Sequence, residues 1–242
     1  MKVLSVFAPK LLQSAARESA GPATVEIHTP LLAKNDDAAE RNRAVFRDRK
    51  MLVLNLISSP GSGKTELLSK TMDGFDEKAA VLVGDLETDN DARRIHRPGV
   101  PVAQITTGTA CHLDAEMIAR GMEGLDLDGV RVLFIENVGN LVCPAEFDLG
   151  EKIRVVLLSV TEGEDKPLKY PPIFKSADLV LLTKTDVAGA LGFDRQAALS
   201  NIARVAPQAE VIELSARSGE GLDAWYGFLR KQLVGNPEAA PA

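Results

Sequence analysis

Cysteine, histidine and aromatic residues are scarce in this chain of 242 residues, which carries two cysteines, three histidines and 5% aromatics. Two cysteines cannot build a disulfide framework, and such scarcity suits a reducing, cytoplasmic compartment. No apolar run approaches the roughly 18–20 residues needed to span a bilayer, so no membrane partner is expected. The opening MKVLSVFAPKLLQSAA reads poorly as a signal peptide, because Pro9 and Lys10 interrupt its short apolar run. Positive charge is also short: 28 Lys and Arg face 34 Asp and Glu, a formal net charge of −6. Proteins that grip duplex nucleic acid usually present a basic face, so nucleic acid is not an expected partner.

What the chain does have is alternation. Continuous apolar segments, MLVLNLIS, AAVLVGD, VPVAQIT, VRVLFIEN, IRVVLLSV, ADLVLLTK and AEVIELS, read as buried strands. Helix-length segments such as HLDAEMIARGMEGL and DRQAALSNIARV lie between several of them. This pattern predicts an α/β fold, a mostly parallel central sheet with helices on both faces. LLAKNDDAAERNRAVFRDRK reads as a charged amphipathic helix from about Asp36. The length fits one domain over residues 25–234, with an irregular lead-in over 1–24 and a loose tail over 235–242.

The strongest local signal is NLISSPGSGKTELL. A buried strand enters a glycine-rich turn, Pro60-Gly61-Ser62-Gly63, and a helix follows from Lys64. Such a turn curls backbone N–H groups around an anion, and the helix N-terminus adds positive potential. Lys64 is expected to neutralise β- and γ-phosphate oxygens, and the Thr65 hydroxyl to bind Mg²⁺. The usual pattern begins with glycine where this chain has Ser58. Asp85 and Glu136 end two strands and are expected to share a crevice with Lys64. One would hold Mg²⁺, directly or through water, and the other would orient the attacking water. Asp91 is a weaker candidate, since TDNDARRI also reads as an ordinary capped helix start.

Base choice is read from LVLLTKTD and ELSARSGEGL. The first resembles the guanine-reading Asn-Lys-x-Asp element of GTPases, with Thr183 in the Asn place. Asp186 would accept from guanine N1–H and the exocyclic amine, a donor pair adenine lacks. The Lys184 stem would lie along the purine ring. Ser215-Ala216 resembles the loop that offers a backbone N–H to guanine O6. Thr183 cannot reproduce an amide's hydrogen bonds, so a less rigid loop is expected.

Cys111 and His112 are adjacent in TTGTACHLDAEM, and Cys143 lies in FIENVGNLVCPAEFDLGE. Both segments follow strands, so both are expected at one end of the sheet. Thiolate and imidazole favour Zn²⁺, Ni²⁺ or Cu over Mg²⁺ or Ca²⁺. Three donors leave a site incomplete, and a second copy across a two-fold axis would complete it. The spacing itself shows no CxxC or HxxxH pattern, and free cysteines are often just small buried hydrophobes.

These segments, together with GDLETDNDARRI and VTEGEDKPLKYPPIF in the same order, resemble the HypB family. Those proteins are GTPases that help insert nickel into [NiFe]-hydrogenase, and they belong to the dimerising P-loop class. The resemblance runs from about LLAKNDDAAERNRAVF to Leu229. It implies GTP and GDP as ligands, a nucleotide-dependent homodimer, and Ni²⁺ or Zn²⁺ held at the subunit interface by Cys111, His112 and Cys143. It also implies a nickel-carrying accessory protein and a hydrogenase large-subunit precursor as partners. Three positions depart from the family pattern: Thr109, beside Ala110, stands where a lysine-containing pair is common, Glu66 where a second Thr is usual, and Thr183 replaces the base-reading Asn. Glu66 would put negative charge near the α-phosphate. Residues 1–24 lack the Cys- or His-rich tract with which some members capture or store nickel, so a nickel store is not expected. No arginine finger or water-positioning Gln is evident, which predicts slow hydrolysis. The rival readings are a related chaperone GTPase serving another enzyme such as urease, and a non-catalytic nucleotide-gated binding module.

Overall fold

The computed structural model describes residues 28–86 and 90–235. The expected lead-in over 1–24 and the tail from 236 lie outside the described residues. Seven strands form one sheet: β1 (Leu52–Ser58), β2 (Ala79–Asp85), β3 (Val102–Thr106), β4 (Val132–Glu136), β5 (Ile153–Ser159), β6 (Leu179–Thr183) and β7 (Glu210–Leu214). Their order is β3-β2-β4-β1-β5-β6-β7. All six pairings are parallel, where the sequence pattern predicted mostly parallel. The helices are α1 (His28–Asp48), α2 (Lys64–Gly74), α3 (Asn90–Ile95), α4 (Ala115–Glu123), α5 (Lys166–Lys169), α6 (Pro171–Lys175), α7 (Ala188–Leu191), α8 (Arg195–Val205) and α9 (Leu222–Val234).

Strand side chains alternate between two cores. Leu52, Leu54 and Leu56 of β1 pack with Phe134, Leu67, Trp225 and Phe228 on the α2–α9 face. Val53 and Ile57 point the other way, toward Phe46 and Leu113 at one end and Ile173, Phe174 and Ile202 at the other. Both faces are thus covered, which is why the central strands are continuous apolar runs. The edges differ from the expectation of full burial: β3 is half-exposed along its length, and β7 buries only alternate residues. An edge strand has one neighbour and partial helix cover.

α1 begins at His28, eight residues earlier than the expected Asp36. Pro30 falls in its first turn, where the missing N–H is no loss. The helix is fixed by buried amides. Asn35 Nδ2 donates to Asp148 O at 2.8 Å, and its Oδ1 accepts from Ala115 N at 2.9 Å. Asn42 Nδ2 donates to Ala115 O at 2.8 Å and Leu149 O at 3.1 Å.

Strand order reverses around β1, which has β4 on one side and β5 on the other. In parallel α/β sheets that switch point opens a crevice at the carboxyl ends of the strands. The register Leu56↔Glu136 sets the end of β4 level with the loop leaving β1.

Candidate functional site: two joined clefts and a soft-donor cluster

The loop leaving β1 curls through Gly61 at φ +75° and Gly63 at φ +99°. Side chains rarely adopt this left-handed region, so the glycines are structural requirements. Gly63 caps α2 without any side-chain bond, so the first N–H groups of the helix remain available to an anion. Lys64 is buried, and its Nζ donates to Ser58 Oγ at 2.8 Å. The residue that breaks the usual glycine pattern is therefore a hydrogen-bond acceptor for Lys64. Burial lowers the pKa of Lys64, and Glu136 opposes that shift.

A cleft of about 470 Å³ opens above this loop. Residues 60–66 line it together with Asp85, Asp91, Arg94 and Glu136. Thr65 Oγ1 donates to Glu136 Oε1 at 2.7 Å. Burial pushes the Glu136 carboxyl up to about 7, against the pull of Lys64 and the Thr65 hydroxyl. Asp85 Oδ1 accepts from Leu86 N at 2.7 Å. Glu136 Oε2 is buried and has no hydrogen-bond partner. Such an oxygen, beside the Thr65 hydroxyl, fits a hard cation such as Mg²⁺.

Sequence reasoning missed Arg94. It lies in α3, lines the same cleft, and its Nη2 donates to Glu66 Oε2 at 2.9 Å. The negative charge that Glu66 brings to this cleft is thus paired with an arginine. The pairing spans 28 residues, and no local pattern announces it.

A second cleft of about 280 Å³ adjoins the first, and Ser62, Gly63 and Glu66 line both. Its walls include Thr183, Lys184, Asp186, Ser215 and Ala216. Ser215 Oγ donates to Asp186 Oδ1 at 2.7 Å and fixes that carboxylate. Lys184 has φ +60°, and its Nζ donates to Gly61 O at 2.6 Å. Thr183 Oγ1 donates to Ser62 O at 2.8 Å. The loop is thus tied to the phosphate-binding turn at two points, more firmly than the loss of an amide suggested.

The soft donors gather at the same end of the sheet. Cys111 and His112 follow β3, and Cys143 opens a short 3₁₀ turn, Cys143–Ala145, beyond β4. Their ligand atoms all lie within 4.8 Å of one another in a single chain. Cys111 Sγ is 2.9 Å from Cys143 Sγ and 3.9 Å from His112 Nδ1, and both cysteines are free thiols. The neighbouring thiol raises the pKa of Cys111, while burial lowers that of His112. His112 stacks on Phe147, with centroids 3.9 Å apart. Two sulfurs and an imidazole suit a borderline-soft ion. The three donors expected from one chain converge within it, and a second copy remains the expected source of further ligands.

A parallel sheet with a glycine-turned phosphate loop at its switch point, followed by Lys64-Thr65, defines a P-loop nucleotide-binding protein. The comparisons with known proteins narrow the class. The family described as CobW/HypB/UreG, nucleotide-binding domain, matches residues 52–213. The hydrogenase maturation factor HypB of Azotobacter chroococcum is 55% identical over 211 residues, covering 86% of this chain and 69% of that protein. The crystal structure of HypB from Helicobacter pylori in complex with nickel superposes with a TM-score of 0.80 at 38% identity, covering 86% of this chain and 99% of that one. The HypB structure from Archaeoglobus fulgidus gives 0.78 at 39% identity, covering 83% and 99%. This chain belongs to the HypB family.

Proposed function

We propose that this protein is a slow GTPase metallochaperone that assists nickel insertion into a hydrogenase. The triphosphate lies in the cleft over residues 60–66, and guanine in the adjoining cleft against Asp186, Lys184 and the Ala216 backbone. Lys64 leaves Ser58 to neutralise β- and γ-oxygens. Thr65 and Glu136 would hold Mg²⁺, which would supply further neutralisation of the phosphates. Asp85, on the neighbouring strand, orients the attacking water. Nucleotide binding brings two copies together, and Ni²⁺ or Zn²⁺ is held as cargo by Cys111, His112 and Cys143. Hydrolysis relaxes the loop after β4 and loosens that grip, passing the ion to an accessory protein or the hydrogenase precursor.

One observation carries this reading. A single loop begins at Glu136, bonded to Thr65 of the phosphate site, and ends at Cys143, 2.9 Å from Cys111. A movement at one end of that loop therefore has a short path to the other. The test is a nickel titration with mass measurement, run in GDP and in a non-hydrolysable GTP analogue. The triphosphate form is expected to pair and to bind nickel more tightly, and identical behaviour in both nucleotides overturns the reading. In the same study Lys64→Ala should abolish phosphate release while the chain stays folded.

A further inference from the structure

Within the stretch Glu136-Asn137-Val138-Gly139-Asn140, two asparagines reach from one loop to another. Asn137 is 2% exposed. Its Oδ1 accepts from Leu113 N at 3.2 Å and from Val138 N at 2.9 Å. Its Nδ2 donates to Asn55 Oδ1 of β1 at 3.2 Å, so the amide is held at both ends. Asn140 Nδ2 donates to Cys111 O at 3.2 Å, and its Oδ1 accepts from Val142 N at 2.9 Å. The two side chains therefore grip the main chain on either side of His112, at Cys111 and at Leu113.

Leu113 is the anchor of that gripped segment. It is fully buried, and a Cβ on Gly84 of β2 would fall 2.8 Å from its side chain. The leucine occupies the room this glycine leaves in the sheet. The Cys111–His112 pair is thus moored to β2, while Cys143 rides on the loop after β4. The asparagines, the thiol pair and the stacking of His112 on Phe147 tie the two segments together across this gap, and of these only the asparagines form hydrogen bonds to the main chain of the Cys111–Leu113 segment.

The geometry points to Asn137 and Asn140 as positioning residues that latch the nucleotide-facing loop to the Cys111–His112 segment. They hold the three donors converged, and they let a shift at Glu136 spread the donors apart. Neither residue touches the ion. This inference rests on the proposed nucleotide-gated grip on nickel.

The test uses the full chain and Ni²⁺ alone as probe, followed by thiolate-to-nickel absorption in GDP and in a non-hydrolysable GTP analogue. The quantity read is the ratio of nickel affinities in the two nucleotide states. For the unaltered chain a ratio of about tenfold is expected, the ordinary size of coupling between two sites. Asn140→Ala should bring it below about threefold, with GTP-analogue affinity and melting temperature little changed. Asn137→Ala should lower the ratio likewise and speed hydrogen exchange at the Leu113 amide. Because Asn137 is buried, its variant is the one at risk of misfolding, and the Asn140 arm stands without it. If the unaltered chain shows no nucleotide dependence, the proposed function fails and the latch with it. If the unaltered chain shows it and Asn140→Ala keeps the same ratio, only the latch is overturned. Equal weakening of nickel in both states also overturns it, because a merely structural bond would do that.

Discussion

At the scale of single residues, Glu136 carries a pH signature. Its carboxyl sits at about 7 in the folded chain, against an ordinary 4.5. The groups that set this value are Lys64, Thr65, Asp91 and Arg94, with desolvation dominant. The sign follows from proton counting. Between the two values the folded chain keeps a proton that the unfolded chain releases, so this group's contribution to stability falls as pH rises through that window, then stays flat. If Glu136 holds Mg²⁺ as proposed, binding needs its carboxylate form, so affinity for the GTP analogue should rise with pH up to about 7 and then level. Glu136→Gln should flatten that rise. Titration calorimetry across pH 6 to 8 checks it, and an unchanged slope in the variant counts against the assignment. Lys64, Thr65 and Asp186 could be singled out because each stands in a short, contiguous pattern, whereas the soft donors show no ligand spacing and were singled out through the family resemblance. Arg94, Asn137 and the acceptor role of Ser58 were not, since each depends on a partner that only folding brings near.

At the scale of elements, the loop after β4 is pinned between two neighbours. A Cβ on Gly139 would fall 2.9 Å from Pro60 Cα, so phosphate turn and loop touch without a side chain between them. The obstacle is main chain, which cannot swing aside. Gly139→Ala should push the two apart at a cost of about 1–3 kcal/mol. The expected result is about a tenfold slower single-turnover hydrolysis, with far-UV circular dichroism unchanged. A full hydrolysis rate would show that the close approach is dispensable. The central strands were readable as elements because burial on both faces leaves an unbroken apolar run. The edge strands β3 and β7 looked equally buried, since sequence shows apolarity and not the number of neighbours. The early start of α1 was hidden for a related reason: its inward face before Asp36 uses Asn35, and a buried amide reads as a turn former until its partners are known.

At the scale of the molecule, one aromatic joins the sheet to its helical cover. Trp225 is fully buried, packs near Phe134 of β4 and Phe228 of α9, and donates from Nε1 to Thr71 Oγ1 of α2 at 3.0 Å. Trp225→Ala should cost about 3–5 kcal/mol, read as a lowered urea midpoint by circular dichroism, and a shift under about 1 kcal/mol would show that the helices re-pack. The architecture could be inferred from alternation alone, because an all-parallel sheet must be covered on both sides. The joining of the two clefts into one groove could not, since the phosphate turn and the base-facing loop lie more than a hundred residues apart, as the 121-residue span of the Thr183–Ser62 bond records.

Gathering Cys111, His112 and Cys143 within one copy has a consequence for delivery. Cys111 lies at the surface, so on the proposed reading an ion held there is open to approach from outside the single copy. On that reading a thiolate or imidazole of the recipient can enter the coordination sphere as the original donors loosen. Transit would then proceed by stepwise substitution, and the metal need never travel as a free aquo ion.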